Sequence, residues 1–244
     1  MLERKRKENE SVKIYQGVFD DYTLKTLTIL ASKNLFVSID YPIATGKEAD
    51  VYRLTTREKT YLAAKIYRTE TSNFRVMERY LAGDPRFNFR KVSKTRRGVD
   101  SIISLWCKKE FRNLRDSHDV GVAVPYPVKN LNNVLLMEFI GKDGVPAPLL
   151  KNVRIKKPEE LIKKLAHYVE LMWKKARIVH GDISEYNIMV LDEKPVLIDI
   201  GQAVSVEHPI ALELLERDLK IVGKIAEDYN VNFNYRGAFE KIKG

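Results

Sequence analysis

The sequence has a single cysteine, Cys107, among 244 residues, so no disulfide can form within the chain and a reducing compartment fits. No stretch reaches the ~20 apolar residues that a membrane-spanning helix needs, so no membrane partner is expected. The opening MLERKRKENE is charged throughout and lacks the apolar segment of a secretory signal. Internal repeats and low-complexity runs are absent too. Together these absences point to the cytoplasm. Acid is the scarcer charge: 33 Asp and Glu against 43 Lys and Arg leave a formal net charge of +10. Such an excess of base favours polyanions such as RNA, ribosomes or nucleotides, because Lys and Arg displace counterions from phosphates.

What is present is enough for a core. Apolar residues make up 44% of the chain, and its length suits one compact unit or two closely packed lobes. Residues 1–11 read as a polar arm. Leu24, Leu27, Leu30 and Ala31 fall at helical spacing within residues 23–34. Short β-prone runs follow at 36–41, 50–54 and 61–67. Residues 101–114 return to helical spacing, and 134–140 form an apolar strand. Beyond Gly141 the chain turns helical: Pro158 suits the first turn of a helix striped by Leu161, Leu165, Tyr168, Met172 and Ala176. Strands at 188–191 and 196–200 flank the turn Asp192-Glu193-Lys194-Pro195, and 211–229 read as another helix. The pattern predicts an α+β bilobal fold. An arm and helix span 1–36, a β-rich N-lobe 37–140, and a reduced, mostly helical C-lobe 141–244.

Chemistry concentrates in His180-Gly181-Asp182-Ile183-Ser184-Glu185-Tyr186-Asn187 and in Leu197-Ile198-Asp199-Ile200-Gly201. In the protein-kinase pattern H-R-D-x-x-x-x-N, an Asp and an Asn sit five positions apart on one loop. That Asp orients the acceptor hydroxyl, while the Asn carbonyl reaches a Mg²⁺ ion. A second Asp, after a strand hairpin, holds the metal against the phosphates. Asp182, Asn187 and Asp199 occupy those three stations. Asp is also a common turn residue, but both fragments in this order make chance a poor explanation.

The N-terminal half adds independent signals. The nucleotide-covering pattern G-x-G-x-x-G-x-V, laid on Ala44 to Val51, puts Gly46 at the middle glycine and Val51 at the valine. Alanines take the outer positions, and an ordinary hairpin turn reads the same way. A Walker A loop is excluded, because Glu48 follows Gly46-Lys47. Ala63-Ala64-Lys65-Ile66 is similar to the V-A-I-K strand, whose lysine contacts phosphates. A lysine inside an apolar strand needs an anionic partner, and Glu110 on the following helix is the expected one, with Glu78 as fallback. The strand at 134–140 reads as a hinge, where Glu138 and Ile140 would offer backbone contacts to adenine. Residues 84–100 lack periodicity and hold Arg86, Arg90, Lys91, Lys94, Arg96 and Arg97 with Ser93 and Thr95. They are expected to form an RNA-contacting or autophosphorylated loop.

With these residues in place, the chain resembles the Rio family of atypical serine/threonine protein kinases, in particular the subfamily without an N-terminal winged helix. The resemblance rests on residues 44–49, on GKDGVPAPLL at 141–150, on His180 to Asn187, on Ile198 to Gln202 and on His208-Pro209 with Ala211-Leu212. It implies an ATP- and Mg²⁺-dependent protein kinase and ATPase, with Mn²⁺ able to substitute. Asp182 would be the catalytic aspartate, Asn187 and Asp199 the metal ligands, and Lys65, supported by Glu110, the phosphate-binding lysine. Thr45, Gly46, Lys47, Glu48 and Val51 would cover the nucleotide, and Glu138 with Ile140 would hold adenine. It further implies an aspartyl-phosphate at Asp199 and a role in maturing the small ribosomal subunit, with the subunit precursor or its RNA as partner.

Departures from the pattern shape the expectation. Ala44 stands where related chains often carry Ser. Gly181 replaces the Arg of H-R-D, so no arginine there can dock a phosphorylated activation segment. Between Asp199 and Gly244 there is no A-P-E motif and little room for a helical substrate platform. A small-molecule kinase of the aminoglycoside or choline type shares H-G-D-x-x-x-x-N, but usually adds an acidic helical subdomain where this chain is short and basic. A nucleotide-gated RNA-binding module without catalysis would not need Asp182.

Overall fold

Five antiparallel strands form the main sheet, in the order β1 (Ser38–Thr45), β2 (Ala49–Thr55), β3 (Tyr61–Tyr67), β5 (Val134–Glu138) and β4 (Pro127–Leu131). The computed structural model describes residues 18–69, 74–87 and 96–244. Side chains alternate across the sheet. Ala64 and Ile66 join Leu54, Val134 and Leu136 on one face, where Leu27 and Leu30 of α1 (Asp21–Ser32) cover them. That helix starts cleanly because the Asp20 carboxylate accepts the Thr23 amide at 2.7 Å. Ala63 and Tyr67 point the other way, into a cluster with Ile103, Trp106 and Cys107 of α3 (Arg96–Asp119). The same alternation directs Lys65 toward α3. A short helix, α2 (Phe74–Ala82), packs beside α3.

The second half is mostly helical. Helix α4 (Pro158–Leu171) continues as a π-helical turn over Met172–Ala176 and stops at Arg177, whose φ of +59° is left-handed. It packs on α5 (Ala211–Asp228), which in turn holds α6 (Tyr235–Lys243). Leu161 and Leu165 of α4 and Leu215, Leu219 and Val222 of α5 share the α3 cluster, so one core runs through both halves. Three small antiparallel pairs complete the fold: β6 (Gly141–Lys142) with β7 (Val145–Pro146), β8 (Ile178–Val179) with β11 (Val204–Ser205), and β9 (Ile188–Leu191) with β10 (Lys194–Leu197).

The β6–β7 hairpin is strapped from both sides. Arg53 lies between the rings of Tyr41 and Tyr61, at 4.5 and 4.4 Å, and donates to the Gly144 carbonyl at 2.8 Å. The Tyr41 hydroxyl donates to the same oxygen at 2.7 Å, and Asp40 accepts the Arg53 Nε at 2.8 Å. From the other half, Lys142 Nζ donates to Asp192 at 2.6 Å.

The architecture is the α+β one that the change of texture predicts, with differences in detail. The helix expected at 101–114 runs from Arg96 to Asp119, and α2, β4 and α6 are additional elements. The hairpin before Asp199 is tighter than expected. Asp192 and Glu193 both take left-handed φ (52° and 61°), so Lys194 and Pro195 already pair with Leu191 and Val190. Its second strand ends at Leu197 rather than 200, because Asp199 is itself left-handed at φ +58°. The polar arm at 1–11 and residues 88–95 of the basic segment lie outside the described residues. Arg86 departs from the RNA-contact expectation: its guanidinium is spent on buried Asp84, at 2.9 and 2.6 Å.

Candidate active site

A cavity of about 650 Å³ opens between the sheet and the helical half. The β1–β2 turn covers it. There the Gly46 amide donates to Ala49 O at 3.0 Å, and a Cβ at position 46 would come within 3.0 Å of that oxygen. Glycine allows this approach without a clash. Thr45, Gly46, Lys47, Glu48 and Val51 all line the cavity. At the opposite edge the Glu138 N–H is taken by Tyr126 O at 2.8 Å, and the Ile140 carbonyl by the Ala147 N–H at 3.0 Å. Among the described residues, the Glu138 carbonyl and the Ile140 N–H take no part in these loop and turn hydrogen bonds.

Lys65 organises the floor. Its Nζ donates to Glu110 Oε1 at 2.9 Å and to Asp199 Oδ1 at 2.7 Å. Burial alone would depress this ammonium, but the two carboxylates together raise its pKa above the ordinary value. Among the described residues these two are its carboxylate partners, and Glu78 is not one of them. Burial pushes the Glu110 carboxyl up to about 7 against the pull of Lys65. Asp199 keeps 51% of its side chain accessible, and Lys65 outweighs burial to hold it below the ordinary range. It is therefore ionised at neutral pH.

Asn187 spends its amide donors on Asp182: Nδ2 donates to the Asp182 carbonyl at 2.9 Å and to Oδ2 at 3.1 Å. Its Oδ1 is thereby left as an acceptor on the cavity wall that Asp199 shares. The Asp182 Oδ2 also accepts Gln202 Nε2 at 3.2 Å, and Gln202 lines the cavity. Burial and then the neighbouring charge of Asp199 raise its pKa, and the same two causes raise that of Glu48.

Three further residues hold this machinery, and no short motif marks them. Asp218 of α5, fully buried, accepts the Gly181 amide at 2.8 Å and the Ile183 amide at 3.2 Å, fixing the backbone around Asp182. Burial lifts its carboxyl to about 7. Gly181 itself has φ +76°, which explains why this loop carries glycine where H-R-D has arginine. Lys109 and Asn113 of α3 hold the backbone after Asp199. Their available signal was a run of polar side chains, Lys109, Glu110, Asn113 and Ser117, on the stripe that Trp106 and Leu114 mark as buried.

A β-sheet lobe over a helical lobe, with a lysine–glutamate pair and an Asp–Asn loop facing one cleft, defines a phosphotransferase of the protein kinase-like class. Comparison with known proteins gives the class a family. The RIO domain profile matches residues 50–237. The RIO-type serine/threonine-protein kinase Rio1 of Methanocaldococcus jannaschii is 39% identical over 245 residues, covering 100% of this chain and 82% of that protein. The kinase of the same name from Haloferax volcanii is 36% identical over 238 residues, covering 98% of this chain and 80% of that one. The fold is similar to the crystal structure of the Rio2 kinase–ADP/Mg²⁺–phosphoaspartate complex from Chaetomium thermophilum, with a TM-score of 0.70 at 21% identity. That match covers 90% of this chain and 66% of the other. The chain belongs to the RIO family of serine/threonine protein kinases.

Proposed function

We propose that the cavity binds ATP with a divalent ion and that the chain passes the γ-phosphoryl group to a serine or threonine hydroxyl, its own included, or to water. The observation that carries this reading is Lys65 held between Glu110 and Asp199, beside a cavity-lining Asn187 whose amide nitrogen is used on Asp182. A carboxylate and an amide oxygen are the hard ligands that Mg²⁺ takes when phosphates and water supply the rest, so the donor set fits the ion; Mn²⁺ would fit it too. When bound, the ion would neutralise charge on the phosphates and screen them from the carboxylates.

The chain's own residues divide the work. The β1–β2 turn, with Thr45, Gly46, Lys47, Glu48 and Val51, would cover the triphosphate. The Glu138 carbonyl and Ile140 N–H would pair with the adenine edge. Lys65 would offer its ammonium to the α- and β-phosphates. Asp182, steadied by Asn187 and Gln202, would orient the acceptor hydroxyl and take its proton, and its raised pKa suits that task. Asp199, ionised and half-exposed, would also serve as acceptor. Its carboxylate oxygen would bond to the γ-phosphorus as the bond to the β,γ-bridging oxygen breaks and ADP leaves; water then releases inorganic phosphate. The biological setting we infer is maturation of the small ribosomal subunit in the cytoplasm, with the subunit precursor or its RNA as partner. Family membership and the net charge of +10 support it.

The test is Mg²⁺-dependent turnover of labelled ATP by wild type, Asp182→Ala and Asp199→Ala, with and without small ribosomal subunits. Loss of turnover in both variants is expected, together with a hydroxylamine-sensitive label on wild type that Asp199→Ala lacks. Stimulation by a small alcohol and indifference to the subunit would contradict the reading.

A further inference from the structure

Helix α3 grips the Asp199 segment twice. Through Glu110 and Lys65 it reaches the Asp199 carboxylate, at 2.9 and then 2.7 Å. The residue before Glu110 and one about a turn after it, Lys109 and Asn113, hold the backbone that follows. Lys109 Nζ donates to Gly201 O at 2.6 Å and to Ala203 O at 2.5 Å. Asn113 Nδ2 donates to Ile200 O at 2.9 Å and to Ala203 O at 3.0 Å.

Both donors are 0% exposed, as are Ile200 and Ala203. Without them the Gly201 and Ala203 carbonyls would lose these buried bonds, a costly state, while the Ile200 carbonyl would keep only the Ala203 N–H at 3.2 Å. Lys109 has no carboxylate at ion-pair distance among the described residues; carbonyl oxygens and the Trp106 ring, at 4.9 Å, face its Nζ instead, and burial depresses its pKa well below the ordinary lysine value. A core that needed only volume here would use an apolar side chain. The lysine is explained by what it holds. Asp199 lies in left-handed backbone, φ +58°, a conformation that surrounding structure must impose on a residue with a Cβ.

We propose that Lys109 and Asn113 are positioning residues that lock α3 to the Asp199 segment and thereby set the affinity of Asp199 for its metal ion. This rests on the reading of Asp199 as a metal ligand. Protein kinases control activity by moving the glutamate-bearing helix relative to the metal-holding loop. Here that movement would break four buried hydrogen bonds at once, so helix and loop behave as one body and the metal site is preformed.

The experiment uses Lys109→Met and Asn113→Leu, which keep volume and remove donors. Half-saturating Mg²⁺ at saturating ATP, adenosine affinity and Tm are measured for each. The expected result is a Mg²⁺ requirement raised about tenfold or more, with adenosine affinity unchanged. A lowered Tm with wild-type half-saturating Mg²⁺ in both variants would overturn the proposal. Hydrogen exchange on the wild type needs no variant: amides of 200–203 should open together with those of 106–114, and independent opening would overturn it as well. Asp199→Ala, which is expected to lack turnover, separates the two readings when its Mg²⁺ response is read as Mg²⁺-dependent ATP binding. If it retains the wild-type Mg²⁺ response, the metal-ligand assignment fails. If it loses that response while the α3 variants keep theirs, only the lock fails.

Discussion

Lys65 and Asp199, 134 positions apart in sequence, meet at 2.7 Å. The contact joins the third strand of the sheet to the loop after the β9–β10 hairpin, and Glu110 closes it from α3. Removing the ammonium leaves two carboxylates facing each other with no counterion, a costly arrangement in a partly buried site. Lys65→Met is therefore expected to lower kcat for ATP turnover by on the order of 10²-fold or more. Steady-state kinetics at saturating ATP would show it, and turnover within a few-fold of wild type would speak against the role.

Asp182 is tied to Asn187 and Gln202, two residues that line the cavity. Asp182→Asn keeps the shape and removes the base. We expect kcat to drop by roughly 10²–10⁴ with adenosine affinity unchanged, measured by calorimetry. Equal losses in both quantities would mean that the substitution has collapsed the loop.

Arg53 is held by two aromatic rings, Asp40 and the Gly144 carbonyl, and so ties the sheet to the β6–β7 hairpin. Arg53→Ala should cost about 2 kcal/mol, roughly 4–8 °C in Tm. Because Glu138 and Ile140 lead into that hairpin, adenosine affinity should fall by a few-fold as well. Thermal unfolding and a binding titration check the two effects separately.

Asp218 gives a pH signature. Its carboxyl titrates near 7 in the folded protein against an ordinary value of 3.8. A raised carboxyl pKa means that the folded state holds the proton more tightly. The associated stability is fully present below 3.8 and is lost as pH rises through 7. Relative to Asp218→Asn, wild type should therefore lose stability between pH 4 and 7, by on the order of 4 kcal/mol at most. Denaturant unfolding of both proteins across that range tests the sign. A difference that does not change with pH would show that the two amide donors keep Asp218 ionised throughout.

Much of the site was legible because its parts are short and ordered. Asp182, Asn187 and Asp199 fall within one stretch of two loops, and Lys65 announces itself as a charge inside an apolar strand. Glu110 could be chosen because it lies on a strongly periodic helix between Lys65 and the hinge strand. The supports were harder to see. Lys109 meets its carbonyls 92 and 94 positions away, and Asp218 meets Gly181 and Ile183 across 37 and 35. A buried polar side chain on a helix stripe looks like a surface residue until its partner is placed. Backbone conformation misled at the hairpin before Asp199, where left-handed Asp192, Glu193 and Asp199 shorten what reads as a continuous β run.

The most direct test of the account is a crystal structure of the protein with a non-hydrolysable ATP analogue and Mg²⁺. The ion should lie about 2.0–2.1 Å from the Asp199 carboxylate and Asn187 Oδ1, with Lys65 on the phosphates and adenine against Glu138 and Ile140. A nucleotide bound outside this cavity, or an ion that leaves both side chains untouched, would contradict it.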